Sequence, residues 1–196
     1  MPKDIIICGI DEAGRGPLAG PVTASAVVFH SAIDITFLND SKKMTEKKRI
    51  TSFYEITKHS FFGIGWASNE EIDKINILQA TFLAMKRAFS ILYNNISKES
   101  PNLLERLEII VDGNIVPNLE TKIPVKALIK ADASIPEVMA SSILAKVARD
   151  KMMVRYSWLY PEWGYEKHKG YGTKAHKEAI KKHGMSPIQR LSFKSL

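Results

Sequence analysis

Residues Ile5 to Phe29 read IIICGIDEAGRGPLAGPVTASAVVF, and the rest of the chain is organised around this segment. Its opening run, up to Ile10, is almost entirely apolar, which is typical of a central strand covered on both faces. The run ends at Asp11 and Glu12, and three glycines and two prolines then allow tight turns before a second apolar run, Val22 to Phe29. The pattern predicts a strand, a loop and a strand, with two carboxylates where the loop begins.

Two interpretations of the acid pair are open. A surface hairpin could carry Asp11 and Glu12 for solubility alone. We favour a functional site, because a central strand rarely exposes its end and adjacent carboxylates there carry desolvation and repulsion costs that a cation relieves. Arg15, which lies between two glycines, is suited to binding a phosphate.

Composition indicates a globular protein of ordinary hydrophobicity. The 196 residues, of which 45% are hydrophobic and 25% charged, suit one large domain or one domain with a small appendage, and either would bury most of its apolar surface. The N-terminal apolar run is too short for a secretory signal, and Lys86 and Arg87 interrupt the apolar helical stretch around Phe82 to Tyr93. The single cysteine, Cys8, is expected in the core. We therefore expect a cytoplasmic protein without a membrane span.

The charge balance favours a polyanionic partner. The net charge is +7 and the pI is near 9.4, so excess lysine and arginine supply an attraction to phosphate backbones that does not depend on sequence. Lysine-rich pieces such as 47–49 are equally compatible with solvated helix faces. Charge alone leaves nucleic-acid binding open.

Periodicity and capping signals predict the remaining elements. A helix runs from the N-cap Thr45 to near Lys58, and a strand follows from Ser60 to Trp66. A second helix opens with the capping box Ser68 to Glu71 and is renewed from Ile77 to about Tyr93, and strands follow at Leu107 to Val111 and Pro124 to Ile129. A long helix then opens with a capping-box pair at Ser134 to Glu137 and continues to Pro161, and a basic helix runs from Thr173 to His183 and is closed by Gly184.

This order indicates an α/β fold with a mixed five-stranded sheet and helices on its faces. The first strand is expected at the centre with the fourth beside it. Asp112 ends the fourth strand and Asp132 follows the fifth. Four carboxylates, those of Asp11, Glu12, Asp112 and Asp132, would then share one cleft.

Four neighbouring carboxylates cannot all stay ionised without cations, because each raises the pKa of the others. Oxygen ligands favour Mg²⁺ or Mn²⁺ over zinc. A pair of such ions supports in-line phosphoryl displacement. The four acids are therefore predicted to be both metal ligands and catalytic residues, with two ions bound during catalysis.

Two other chemistries fit less well. A glycosidase uses two carboxylates and gives no account of the basic excess. Zinc ligation by His168, His176 and His183 is weaker, because lone histidines on polar helices are usually solvated.

Five blocks in order carry a resemblance to a known family: GIDEAGRGPLAGPV at 9 to 22, LNDSKKM at 38 to 44, VDGN at 111 to 114, KADASIPEVMASSILAKVARD at 130 to 150, and HKGYGT at 168 to 173. With them the chain closely resembles bacterial ribonuclease HII, the type 2 ribonuclease H. The resemblance implies a ribonuclease H-like catalytic domain over 1–196, with about 161–196 as a C-terminal helical extension. It also implies a metal-dependent endonuclease that acts on RNA/DNA hybrids and on duplex DNA containing ribonucleotides.

The resemblance assigns roles to single residues. The four catalytic acids of the family match Asp11, Glu12, Asp112 and Asp132. The backbone of the GRG motif, matched by Gly14, Arg15 and Gly16, senses the ribose 2′-hydroxyl in the family. Tyr171 matches the tyrosine that stacks on the sugar at the RNA-to-DNA junction. Lys42 and Lys43 match a DSKK segment near the substrate phosphates.

Further expectations complete this interpretation. The enzyme is expected to act as a monomer and to cut on the 5′ side of a single embedded ribonucleotide. A catalytically silent hybrid-binding module and a DNA-processing nuclease of the same broad fold stay open as alternatives. The tail from Gln189 to Phe193, QRLSF, loosely resembles a sliding-clamp-binding peptide, but we favour packing of Phe193 on the domain. Asp150 is interpreted as an acid on the helix surface.

Overall fold

A mixed five-stranded sheet forms the centre of the molecule. The computed structural model describes residues 4–31, 34–38, 41 and 44–193. The strands are β1 (Ile6–Ala13), β2 (Val22–Phe29), β3 (Ser60–Ala67), β4 (Leu107–Asp112) and β5 (Val125–Leu128). Their order is β3-β2-β1-β4-β5, with β1 antiparallel to β2 and parallel to β4. The predicted fold class and the central position of the first strand are confirmed.

Helices cover both faces of this sheet. They are α1 (Glu46–His59), α2 (Asn69–Glu99), α3 (Pro136–Leu159), α4 (Tyr165–His168) and α5 (Lys174–His183). Successive residues of a strand point to opposite faces. Accordingly Ala26 and Val28 pack in the core beneath α2, whereas Val27 packs in a second core with residues of α1 and α3. Burial on both faces explains why β1 and β2 read as continuous apolar runs.

Side chains cap the first two helices as their sequences predict. The Thr45 hydroxyl accepts the amide of Lys48, and Ser68 and Glu71 form a complete capping box. At Asn76 the backbone leaves the helical conformation, with φ of 67°, and its side chain accepts the amide of Leu78. The predicted renewal of α2 is thus confirmed, although the helix continues past Tyr93 to Glu99.

The predicted capping box of α3 is wrong. Ser134 closes the short 3₁₀ turn Ala131–Ala133, where its amide donates to the Ala131 carbonyl, and Ile135 is the N-cap without a side-chain cap. Ser134 therefore belongs to the turn that carries Asp132 and is not available to cap the helix. The start of α3 lies directly against β1, because a Cβ on Gly9 would come within 2.2 Å of the Glu137 backbone.

The C-terminal part of the chain packs on the loop between β1 and β2. Ala19, Met153, Tyr165 and Ile188 form a small core of their own. Ala19 also pairs with Gln189 in an antiparallel bridge. In the parts of the chain that the structure describes, no helix has the length and apolar character that a membrane crossing requires.

Candidate active site

Three aspartates converge at the carboxyl ends of the parallel strands. Asp11 lies on β1, Asp112 ends β4, and Asp132 lies in the 3₁₀ turn after β5. One carboxylate oxygen from each lies within 4.8 Å of the other two. Within the described ranges, no other group of three or more histidines, cysteines or acids converges in this way. Parallel pairing of β1 with β4 and of β4 with β5 brings these strand ends together.

Hydrogen bonds fix the aspartates in place. The Ala131 amide donates to Oδ1 of Asp112 over 2.8 Å, which ties the turn carrying Asp132 to the end of β4. The Asp11 amide donates to Oγ of Ser141 over 2.9 Å, and that hydroxyl donates to the Ser25 carbonyl over 2.6 Å. Helix α3 thereby holds the end of β1.

The Asp11 carboxylate has its own partners. Its Oδ1 accepts the Glu12 amide over 2.7 Å, and its side chain is hydrogen-bonded to Ser142. Ser142 is in turn 2.9 Å from the Ser41 hydroxyl, the one described residue of the LNDSKKM block between Leu38 and Met44. This chain of hydroxyls links the Asp11 carboxylate to Ser41. Lys42 and Lys43 lie outside the described residues.

The acidic cluster is electrostatically strained. Asp11 is only 5% exposed. Burial raises its pKa well above the ordinary value, and the charges of Glu12 and Asp112 raise the pKa further. A divalent cation would offset both costs. The donor set consists of carboxylate oxygens, which suits a hard ion such as Mg²⁺ or Mn²⁺.

Glu12 stands beside this cluster and is not one of its three converging members. Its Oε1 lies 3.4 Å from Nη1 of Arg15. Glu12 lines the same cleft as Asp112, together with Gly113 and Asn114. Among the neighbouring charges, that of Glu12 raises the pKa of Asp11 the most. A ligand bound to the cluster would therefore meet the Glu12 carboxylate in the cleft.

Two buried arginines lie behind the GRG loop, residues 14–16, and Arg190 is the one that donates to its carbonyls. Arg149 and Arg190 are only 1% and 0% exposed. Arg190 Nη2 donates to the Gly14 carbonyl over 2.6 Å and Nη1 to the Arg15 carbonyl over 2.9 Å. Arg149 lies so close that a Cβ on Gly14 would come within 2.0 Å of its Nε. Glycine is required there for this reason, and because its φ is 96°.

Tyr171 lies next to the GRG loop with its ring partly in solvent. A Cβ on Gly16 would be 3.9 Å from Cε1 of Tyr171, and 42% of the tyrosine is exposed. Its carbonyl lies 3.0 Å from Nδ1 of His176, and its amide donates to the His168 carbonyl. Because a carbonyl only accepts, His176 carries its proton on Nδ1. The backbone thus fixes Tyr171 while the ring stays accessible.

Two predictions about residues near the site have different outcomes. Asp150 is buried at 9% exposure and pairs with Lys146 over 2.8 Å, so its assignment to the helix surface is wrong. Asp150 lies where α3 packs against α1, and it lines a pocket there with Glu46 and Arg49. Packing of Phe193 on the domain is confirmed, because its ring contacts the core beneath α2.

The three histidines do not share a site. The rings of His168 and His176 stack with centroids 4.6 Å apart, whereas the ring of His183 lies against Trp163. No zinc site forms from these three described residues.

Sequence reasoning missed the residues that support the site from α3 and the tail. These are Ser141, Ser142, Arg149 and Arg190. Adjacent serines in an otherwise apolar half of α3 were a signal for the first two. The arginines gave no signal, because a basic side chain in a basic helix or tail is ordinarily solvated.

Comparison with known proteins agrees with this geometry. The family model described as Ribonuclease HII matches residues 8–196. A protein from Treponema denticola named Ribonuclease HII is 60% identical over 193 residues, which cover 96% of this chain and 98% of that protein.

Solved structures show the same fold. The PCNA:RNase HII complex from Archaeoglobus fulgidus aligns with a TM-score of 0.72 at 24% identity, over 97% of this chain and 96% of that one. Bst-RNase HIII in complex with Mn²⁺ aligns with a TM-score of 0.73 at 19% identity, over 98% of this chain and 68% of that one. At these identities the structures support the fold alone.

Proposed function

Since the chain belongs to the ribonuclease HII family and is a ribonuclease H nuclease, we propose that it hydrolyses the RNA strand of RNA/DNA hybrids and cuts on the 5′ side of single ribonucleotides embedded in DNA duplexes. The products would be 3′-hydroxyl and 5′-phosphate ends. The observation that carries the proposal is the position of the acidic cluster and the GRG loop at the two ends of one short stretch of chain, from Asp11 to Gly16.

In this proposal the acids hold the metal. Asp11, Asp112 and Asp132 supply the converging oxygens, and Glu12 supplies a fourth carboxylate from the adjoining cleft. Two divalent ions, Mg²⁺ or Mn²⁺, would provide the positive charge that activates water and stabilises the leaving oxygen of an in-line displacement. The raised pKa of Asp11 supports this, because a buried acid among acids is stable as a carboxylate only beside a cation. Mn²⁺ is also the ion named for the structurally similar Bst-RNase HIII.

The GRG loop and Tyr171 would select the substrate. The 2′-hydroxyl both donates and accepts, and it is the group that separates RNA from DNA at a given nucleotide. Arg15 and Gly16 are exposed residues, and their backbone amides are proposed to hydrogen-bond it. The accessible Tyr171 ring beside Gly16 would pack against the sugar of the nucleotide that follows the ribonucleotide. A 2′-hydroxyl on that second sugar would prevent the packing. Lys42 and Lys43 are proposed to contact the phosphates of the same strand.

The basic charge suits a duplex partner. A net charge of +7 around an acidic cleft attracts the phosphate backbone while the cleft retains metal. We propose that the enzyme acts as a monomer, because one chain supplies the acids, the GRG loop and Tyr171. We also propose that it acts in the cytoplasm. A sliding clamp is not favoured as a partner. Gln189 and Arg190, at the start of the clamp-like segment, are buried in the domain.

One assay tests the proposal directly. A DNA duplex with one ribonucleotide, the same duplex without it, and an RNA/DNA hybrid are each incubated with Mg²⁺ or Mn²⁺, and cut positions are mapped. We expect a single cut 5′ of the ribonucleotide, cuts throughout the RNA strand of the hybrid, and none in all-DNA duplex. Binding without cutting would indicate a silent hybrid-binding module. Cutting of the all-DNA duplex would indicate a DNA-processing nuclease.

A further inference from the structure

Arg190 is a buried cation whose hydrogen bonds go to backbone carbonyls of one loop. Its Nη2 donates to Gly14, its Nη1 to Arg15 and its Nε to Gly20, over 2.6, 2.9 and 2.8 Å. A fully buried guanidinium costs desolvation energy, and burial lowers its pKa to about 9. Burial at this cost indicates that the guanidinium has a specific structural task.

The geometry of the peptide bond shows what the task is. None of the peptide bonds between described residues is cis, so each N–H there points opposite to the carbonyl of its own peptide unit. Arg190 draws the carbonyls of Gly14 and Arg15 inward. The amides of Arg15 and Gly16, which share those two peptide units, must then point outward. Both residues are exposed, and neither amide donates to another residue in the described parts of the chain.

We propose that Arg190 is a positioning residue for substrate selection: by holding the carbonyls of Gly14 and Arg15, it turns the amides of Arg15 and Gly16 toward the ribose 2′-oxygen. The inference rests on the proposed function, since it concerns how that function distinguishes ribose from deoxyribose. Arg190 itself touches no substrate.

The planar fork of arginine suits this role and lysine does not replace it. Guanidinium presents five N–H donors in a fixed arrangement, so three carbonyls can be held in one plane. Lysine brings a single ammonium at the end of a flexible stem. It keeps the charge and much of the volume, but its three donors share one nitrogen and cannot reproduce the contacts that Nε, Nη1 and Nη2 make with three carbonyls.

The tail that carries Arg190 is anchored by Asp73 on α2. The Asp73 carboxylate accepts the amides of Leu191 and Ser192 over 2.9 and 2.8 Å. It also accepts the Ser192 hydroxyl. Loss of Asp73 would therefore loosen Arg190 without removing its guanidinium.

Arg149 provides a matched control. It is as buried as Arg190, and it also donates to three carbonyls, those of Ala19, Pro21 and Lys169. None of these belongs to the peptide units whose amides face outward. A Lys variant at Arg149 thus disturbs the same region of the fold without releasing the carbonyls of Gly14 and Arg15.

The test measures binding, not turnover. Dissociation constants are determined in Ca²⁺ for a DNA duplex with one ribonucleotide and for the same duplex with deoxyribose at that position, with recovery of intact duplex checked. We expect wild type to prefer the ribonucleotide. Arg190→Lys should lower this preference by roughly tenfold, as expected for the loss of one or two hydrogen bonds. Arg149→Lys should keep the preference while lowering Tm.

Each other outcome has a definite meaning. A folded Arg190→Lys that keeps the wild-type preference would overturn the inference, and so would equal losses in both lysine variants. If wild type shows no preference and cuts no ribonucleotide-containing duplex, the proposed function itself fails. If Arg190→Lys does not fold, Asp73→Ala decides, because the inference expects a reduced preference in that variant and an unchanged preference contradicts it.

Discussion

The Tyr171 ring lies against Gly16: a Cβ built on the glycine would sit 3.9 Å from Cε1 of the ring. This is an ordinary van der Waals distance, so the contact itself does not exclude a side chain at residue 16. If a nucleotide bound over the GRG loop, the sugar of the next nucleotide in the strand would contact the Tyr171 ring. The two sequence blocks that carry the predicted substrate contacts, far apart in the chain, thus form one surface.

The two glycines of the GRG loop should respond differently to alanine. Gly16 has room for a Cβ and no positive φ, so Gly16→Ala should keep the wild-type Tm. It should still lower cleavage of a single-ribonucleotide duplex by at least roughly tenfold, because the methyl group displaces the sugar from the amides. Gly14→Ala should instead be destabilising by about 1–3 kcal/mol, since a Cβ there meets Arg149. Thermal melts and single-turnover rates separate the two effects, and a Gly16→Ala enzyme of full activity would contradict ribose reading at this loop.

Tyr171 should matter most at a junction. Tyr171→Ala should lose most activity on a duplex with one ribonucleotide and proportionately less on a long RNA/DNA hybrid, where junction packing cannot help every cut. Tyr171→Phe keeps the ring, so it should remain close to wild type on both substrates. The measurement is the ratio of kcat/KM values on the two substrates. Equal losses for the alanine variant would assign Tyr171 to general binding or folding.

Asp11 should show a conflict between stability and catalysis. Asp11→Asn removes a charged ligand and should lower turnover by several orders of magnitude. In EDTA at neutral pH the same variant should melt at a higher temperature than wild type, because burial and the charges of Glu12 and Asp112 disfavour the ionised carboxylate. Added Mg²⁺ should raise the Tm of wild type more than that of the variant.

The pH dependence of this stability gain has a definite sign. The folded-state pKa of Asp11 is raised above its ordinary value of 3.8. Metal-free wild type therefore loses stability as pH rises from that value through the raised pKa, and Asp11→Asn lacks this loss. Below pH 3.8 the Tm of Asp11→Asn should no longer exceed that of metal-free wild type. A gain that persists there would show that it has another cause.

A suitable control acid must be exposed. Asp150→Asn does not qualify, because Asp150 pairs with Lys146, whose Nζ lies 5.8 Å from the centre of the Tyr171 ring. Glu178 on α5 is a better choice, since its side chain is 63% exposed and its contact with Lys174 is 3.9 Å long. Glu178→Gln should leave turnover and Tm unchanged.

The sheet and the acidic edge were predictable because local patterns and topology agree. Apolar runs that end in Asp11 and Asp112 specify strands whose carboxyl ends meet once β1 and β4 are parallel. The start of α3 was not predictable in the same way. Ser134 and Glu137 match a capping box, but the turn that carries Asp132 takes Ser134 first. The local sequence matches a capping box, but the position of the preceding turn in the folded chain decides where α3 begins.

The supporting residues were harder to find for a different reason. Arg149 and Arg190 act through carbonyl groups, which every residue has, so no partner side chain marks them in the sequence. Their carbonyl partners lie between 128 residues away along the chain, for Arg149 and Pro21, and 176 residues away, for Arg190 and Gly14, apart from Lys169, which is 20 residues from Arg149. Only the folded chain shows that the QRLSF tail places its arginine behind the GRG loop.

The tail should prove structural and not a binding peptide. Phe193 packs on the core beneath α2, and the Arg190 guanidinium lies 5.1 Å from the centre of its ring. Phe193→Ala should therefore lower the free energy of unfolding by about 1–3 kcal/mol and Tm by several degrees. Leu191 lies in the same segment but is 70% exposed, so Leu191→Ala should leave Tm unchanged. Pull-downs with a bacterial sliding clamp complete the test, because a clamp-binding peptide would need its apolar side chains free for the partner. We expect neither variant to change clamp binding, and clamp capture that depended on Phe193 without any change in Tm would contradict this assignment.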